Sequence, residues 1–249
     1  MIWCHARRGF QMVDNKTPRK GEPQYEEVIA EIRQRGLARL GFMTSWAWFD
    51  DPKRLAFTLS RYKFAAKMLA GCDRVLEVGC GDGFGSRVVA QDGIHVTAID
   101  FDPELLESAR ATADERYPVD FRLHNVMKDP VPGRFAGAYS MDVLEHINSE
   151  EEDNFLRNAL APLDQDGVCI IGTPSLESQA YASKFSKMGH VNCKTQSALK
   201  ETMLRHFRNV FMFSMNDEVV HTGYGKMSHY NIALCCNRRN PDVAQLKGE

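Results

Sequence analysis

Apolar residues recur along the chain with two different periods. From Pro23 they fall at helical spacing: Tyr25, Val28, Ile29 and Ile32, then Leu37 and Leu40 after Gly36. A dense apolar tract, Phe42 to Phe49 (FMTSWAWF), closes on Asp50-Asp51-Pro52. Leu55, Leu59, Tyr62, Ala66 and Leu69 then mark one face of a helix over 54–69. Residues 24–70 therefore read as a helical cap, too short for a separate domain, that packs onto the remainder of the chain. After Gly71 the period shortens. Runs at 74–78, 95–99, 121–124, 135–141 and 168–172 carry the signature of buried strands. Helical spacing lies between them at 84–90, from Pro103 (with Asp102 as N-cap) and over 150–160. That alternation predicts an α/β fold, a doubly wound and mostly parallel sheet. A helix over 195–206, capped by Thr195, and two apolar strands at 209–215 and 229–236 complete a domain at 71–237.

The ends read differently. Residues 1–10 carry Arg7 and Arg8 but no apolar run of signal-peptide length follows, and residues 14–23 are polar, basic and turn-rich. They are expected to form a flexible arm in which translation naturally starts at Met12; a basic arm touching a partner is the alternative. Residues 238–249 are expected to be a polar, frayed tail.

Composition narrows the class. At 249 residues and a formal net charge of −2 the chain lacks the basic balance of a general nucleic-acid binder. No apolar run approaches the ~20 residues of a membrane span. The seven cysteines form no regular framework, and Cys169, Cys235 and Cys236 lie inside apolar stretches, which points to a reducing, cytoplasmic compartment. His190-Val-Asn-Cys193 offers half of a zinc set, but no second ligand pair is spaced to complete it, so no metal is expected.

The chemistry-bearing motif is Glu77-Val-Gly79-Cys80-Gly81-Asp-Gly83-Phe-Gly85, which follows a strand and opens a helix. Alternate glycines let the backbone turn and leave room for a ligand. A dinucleotide fingerprint would need glycine at position 84, where Phe84 stands, and no phosphate-loop lysine follows. Glu77 inside the loop would repel a pyrophosphate. A cationic, phosphate-free cofactor is favoured. Asp100 ends the second strand, where a carboxylate can accept both ribose hydroxyls. Phe101 beside it could stack on an adenine, and Asn125, next to Val126, offers an amide for the base edge. Asp142-Val-Leu-Glu145-His146 follows the fourth strand, at the ligand crevice of such a sheet.

These three motifs, in this order, resemble the class I S-adenosylmethionine-dependent methyltransferases, over roughly residues 72–236. They resemble most the branch whose ubiquinone-pathway members also carry Asp-Val-Leu-Glu-His. The resemblance implies a seven-stranded sheet with an antiparallel last strand and S-adenosyl-L-methionine as cofactor. It implies that Gly79, Gly81 and Gly83 line the methionine moiety, with Glu77 and Cys80 in the same loop. Asp100 would hold the ribose, Asn125 would replace a common adenine-binding aspartate, and Asp142 would flank the cofactor.

The acceptor is expected to meet the helical cap and the loops 174–194 and 216–228. Trp46 and Tyr62 of the cap, with Tyr181 and Tyr224 of the loops, are the candidate acceptor contacts. A hydroxyl acceptor needs a general base, and a histidine suits neutral pH. The candidates are His190, His221 and His146, in that order. The leading expectation is methyl transfer to a small-molecule or carbohydrate hydroxyl. Alternatives are N-methylation of an amino sugar or other amine by positioning alone, and a non-catalytic cofactor-binding subunit. The cap aromatics could equally form the contact of a homodimer.

Overall fold

A computed structural model of the chain describes residues 21–239. The expectations for a free arm, a Met12 start and a frayed tail fall largely outside the described residues. The first helix, α1 (Glu26–Arg35), ends on Gly36 at φ 82° and buries none of its residues. The unit that contains the sheet begins at Leu40, so α2 (Phe42–Asp50) and α3 (Lys53–Met68) belong to it.

The chain then runs β1 (Arg74–Val78), α4 (Ser86–Ala90), β2 (His95–Asp100), α5 (Pro103–Ala111), β3 (Val119–Leu123) and β4 (Phe135–Met141). It continues with α6 (Glu152–Leu160), β5 (Leu163–Pro174), α7 (Lys184–Gly189), α8 (Gln196–Leu204), β6 (Phe207–Asn216), β7 (Val219–His221) and β8 (Tyr230–Arg238). The strands lie in the order β3-β2-β1-β4-β5-β8-β6-β7. The five on the β3 side pair in parallel, whereas β8 runs antiparallel to β5 and β6.

The expected seven strands are eight. The extra one, β7, pairs with β6 through three register positions across a two-residue turn, Asp217-Glu218, with Asp217 at φ 49°. Three residues are too few to print a period, so in sequence this hairpin is indistinguishable from the loop over 216–228.

Both faces of the sheet are buried. Leu76 and Val78 pack with Phe155, Leu156, Leu160, Leu199 and Phe207 under α6 and α8. Val75 joins Tyr62, Ala65, Leu69, Val89, Leu106, Tyr139 and Tyr230 under α3, α4 and α5. Two polar side chains set helix starts where expected. Asp102 accepts from the N–H groups of Glu104 and Leu105, and Thr195 accepts from that of Ala198. The carboxyl ends of β1, β2 and β4 are thereby brought to one edge, where the order of the sheet reverses.

Candidate active site

The loop after β1 turns through Gly79 (φ 79°), Gly81 (φ 54°) and Gly83 (φ 72°). At Gly81 the left-handed backbone faces open space: a side chain there would meet nothing within 4 Å. Its N–H donates to Asp100 Oδ2 at 2.8 Å, and the Asp102 N–H donates to Asp100 Oδ1 at 3.0 Å. Two backbone donors thus fix the buried Asp100 carboxylate while each oxygen keeps accepting capacity. Phe101 beside it is exposed. Under the loop, Glu77 is buried; Tyr139 donates to its Oε2 at 2.9 Å, and Oε1 has no hydrogen-bond partner among the described residues. Burial pushes the Glu77 carboxyl up to about 7.

At the end of β4, Asp142 adopts φ 58°, a conformation costly for a residue with a Cβ. Its carboxylate is gripped by Arg61 of α3, whose Nη1 lies 2.9 and 2.6 Å from the two oxygens. The guanidinium also covers the Tyr230 ring, 3.8 Å from its centroid. Three residues on, Glu145 is 1 % exposed. Its Oε2 accepts from Thr173 Oγ1 at 3.2 Å, and its Oε1 has no hydrogen-bond partner among the described residues. Burial, then the neighbouring Asp142 charge, raises the Glu145 carboxyl well above the usual carboxylate range.

His146 and His190 meet edge to face here, their ring centroids 5.2 Å apart. His146 Nδ1 lies 2.9 Å from the Gly189 carbonyl, and His190 Nδ1 lies 2.8 Å from Gln179 Oε1. Both partners are acceptors, so each Nδ1 carries the proton and each Nε2 is left with a free lone pair. Burial and the neighbouring His146 lower the His190 pKa, which keeps its ring neutral. The backbone beyond His190 is bolted down. The N–H groups of Val191 and Asn192 donate to the Glu145 carbonyl at 2.8 and 3.0 Å, and Asn192 and Lys194 bind the buried Glu152 carboxylate. One ligand-capable atom from each of Glu145, His146 and His190 lies within 4.8 Å of the others. That set could hold a divalent cation, with each Nδ1–H already oriented by an acceptor. The expected absence of a metal set considered His190 with Cys193. The fold assembles His190 with residues of the β4 turn instead.

Residues 75–167 match the family described as "Methyltransferase domain". The ubiquinone biosynthesis O-methyltransferase of Xylella fastidiosa (strain 9a5c) is 36% identical over 132 residues, 49% of this chain and 53% of that protein. The enzyme of the same description from Xanthomonas campestris pv. campestris (strain B100) is 31% identical over 167 residues, 64% of this chain and 69% of that protein. The chain thus spans about half the length of the first relative and just over two thirds of the second. Among solved structures, the CcbJ methyltransferase from Streptomyces caelestis superposes with a TM-score of 0.60 at 15% identity, over 78% of this chain and 95% of that one. The chain belongs to the class I S-adenosylmethionine-dependent methyltransferases.

The residues present fit that family's cofactor. The open backbone at Gly81 and the Asp100 carboxylate with spare accepting capacity suit a cationic nucleoside that carries ribose hydroxyls. Other residues expected at the cofactor also pack the fold. A side chain at Gly83 would lie 2.6 Å from the Phe121 ring, so Gly83 permits packing against β3. A side chain at Gly79 would lie 2.3 Å from Val143, so Gly79 sets the approach of the β4 turn. The Cys80 side chain is buried and its thiol is pushed strongly up by burial, which makes it inert filling beneath the loop. Val126 belongs to the core, its carbonyl accepting from Asn158 at 2.8 Å. Asn125 spends its Oδ1 on the Met127 N–H (2.9 Å), which leaves its NH₂ group for an adenine edge.

On the acceptor side two expectations are corrected. Tyr62 is core: it is buried, stacks edge to face on Tyr139 at 6.0 Å, and lies where any side chain at Gly85 would sit. His221 closes the β6–β7 hairpin. Its Nε2 meets Asn216 Oδ1 at 2.8 Å and its Nδ1 accepts from the Gly223 N–H at 2.9 Å, so neither nitrogen is free to act as a base. Trp46, Tyr181 and Tyr224 are all exposed. The Asp82 contacts to Thr44 and the Arg61 grip on Asp142 have no signal in the motifs.

Proposed function

We propose that this chain transfers the methyl group of S-adenosylmethionine to a hydroxyl oxygen of a small-molecule or glycan-type acceptor, with His190 as the base and His146 beside it. The observation that carries the proposal is the pair of imidazoles whose Nδ1 atoms each face an acceptor, leaving the Nε2 atoms without a hydrogen-bond partner among the described residues, beside the buried Glu145 carboxyl. Oxygen as the target is supported by the O-methyltransferase descriptions of the two bacterial relatives.

Gly81 and Glu77 would line the methionine part, Asp100 would accept the ribose hydroxyls, and Phe101 and Asn125 would face the adenine. The cofactor supplies an electrophilic methyl group on a cationic sulfur with a good leaving group. The protein's share is mainly alignment, which can contribute roughly 7–11 kcal/mol. His190 Nε2 takes the hydroxyl proton. The acceptor oxygen then forms its bond to carbon as the carbon–sulfur bond breaks. Proton removal by a positioned base contributes about 10²–10⁴-fold.

His190→Ala should therefore lower kcat on a hydroxyl acceptor by that factor and leave cofactor affinity, measured by calorimetry with S-adenosylhomocysteine, within about twofold. Undiminished turnover of an amine acceptor by the same variant would establish the N-methylation reading instead. Cofactor binding with no turnover of either acceptor class would establish a non-catalytic subunit.

A second reading of the same residues is favoured by the unpaired Glu145 Oε1. A divalent cation held by Glu145, His146 and His190 would acidify the hydroxyl directly. Treatment with a chelator, followed by addition of Mg²⁺, Mn²⁺ or Zn²⁺, separates the two. Activity that disappears and returns belongs to the cation, and activity that persists belongs to the histidine alone.

A further inference from the structure

Helix α2 is seated by an unusual device. Its sequence is almost wholly apolar, yet Phe42, Met43, Trp46, Trp48 and Phe49 are exposed, and Thr44 is the helix's only buried residue. Apolar burial therefore does not account for its position. The attachment is polar. Asp82, between Gly81 and Gly83, is 5 % exposed, and its Oδ2 accepts from the Thr44 N–H at 2.8 Å while its Oδ1 accepts from Thr44 Oγ1 at 3.1 Å. Gly41 lets the two backbones meet: a side chain there would lie 2.5 Å from Asp82. Ser108 of α5 adds a bond to the Phe42 N–H at 3.1 Å. A buried carboxylate on the first-turn donors of a helix is among the strong hydrogen-bonding arrangements.

The residue before Asp82 is Gly81, whose N–H rests on Asp100. We infer that Asp82 is a positioning residue that fastens α2, and with it the Trp46 and Trp48 surface, to the loop that takes the cofactor, so that cofactor binding and the docking of α2 are one coupled event. This inference uses the cofactor placement proposed above, but the fastening itself stands on the geometry of the ligand-free chain. Any ligand that stiffens Gly81 and Asp100 stiffens the seat of the helix. The factor by which that ligand favours the docked helix is the factor by which docking favours the ligand, because coupling is reciprocal, so a helix that spends its time undocked binds the ligand more weakly.

Hydrogen exchange over residues 42–50 tests it in the full chain, with and without S-adenosylhomocysteine. Asp82→Ala removes the carboxylate. Gly41→Ala leaves the carboxylate intact and pushes it away, which keeps the test open should the first variant fold poorly. Without ligand, α2 should exchange about tenfold faster or more in both variants, while β1 amides keep wild-type protection. With ligand, α2 should slow in the wild type but not in either variant, and ligand affinity should fall at least severalfold in both. Wild-type exchange of α2 in both variants overturns the fastening. Faster exchange with unchanged ligand affinity overturns the coupling. A wild-type chain that binds no S-adenosylhomocysteine defeats the proposed function, and the ligand-free arm still decides the role of Asp82.

Discussion

The two sides of the crevice are built on opposite principles. On the cofactor side the Asp100 and Asp82 carboxylates are already held by main chain or by a helix, and the groups without a hydrogen-bond partner among the described residues, Glu77 Oε1 and Ser86 Oγ, lie beneath the loop. Asp100 takes two backbone N–H groups, and Asp82 takes the start of α2. On the acceptor side the buried groups are under-satisfied: Glu145 Oε1 and Arg61 Nε have no hydrogen-bond partner among the described residues. Large apolar side chains such as Tyr181, Phe185 and Met188 stand exposed nearby along the chain. A site held by main chain keeps one geometry without its ligand and so suits a constant ligand. Unpaired buried groups cost free energy until something binds them, which is the signature of a reacting centre.

The sharpest way to break this comparison is Glu145→Gln, which keeps the shape and removes the ionisable carboxyl. If the acceptor side trades stability for chemistry, kcat should fall by about 10²-fold or more. The melting temperature should hold or rise, because the amide carries no ionisable group whose charged form burial penalises. A variant that loses stability and keeps its rate would reverse the assignment.

On the cofactor side, Asp100→Ala removes charge-assisted hydrogen bonds worth roughly 1.5–3 kcal/mol. It should weaken S-adenosylhomocysteine by about 10- to 100-fold in calorimetry, with kcat at saturation little changed. An unaltered dissociation constant would remove the ribose role.

A smaller effect belongs to Glu77. Its carboxyl pKa is raised in the folded chain to about 7, so the folded state holds a proton that the unfolded state has released. The associated stability is complete below the ordinary carboxylate pKa of 4.5 and is lost as the pH rises through about 7. Melting temperatures across pH 5–8 should decline more steeply for the wild type than for Glu77→Gln. Parallel curves would mean that the carboxyl is already ionised. The least effect expected is that of Asp102→Ala, which removes the α5 cap for about 1 kcal/mol and should leave cofactor affinity nearly unchanged.

Legibility in the sequence divides along a related line, between local and distant determinants. The strands over 74–78 and 135–141 and the caps Asp102 and Thr195 depend on neighbours within a few positions, so period and residue type were sufficient to place them. Asp100 was legible because strand end and glycine loop together leave one carboxylate in the crevice. Arg61 was not. In the cap it reads as a fixed cation for an anionic acceptor, whereas its partner Asp142 lies 81 positions away. Tyr62 was read as acceptor surface because an aromatic residue on an amphipathic helix looks alike from either side. Only packing against Gly85 and Tyr139 shows it to be core. His221 and His190 are both loop histidines by sequence. A three-residue strand spends one on its own hairpin, while Gln179 leaves the other free.

The anchoring of residues 191 and 192 on the Glu145 carbonyl has a practical consequence for redesign. The seat beneath His190 is made from peptide groups, which every amino acid except proline supplies on the donor side. The stretch from Glu177 to Met188 can therefore be exchanged for a homologous segment of different composition, provided that Gln179 is kept and positions 191 and 192 remain free of proline. Such chimaeras would alter which molecules are welcomed at the mouth while preserving the machinery at its floor.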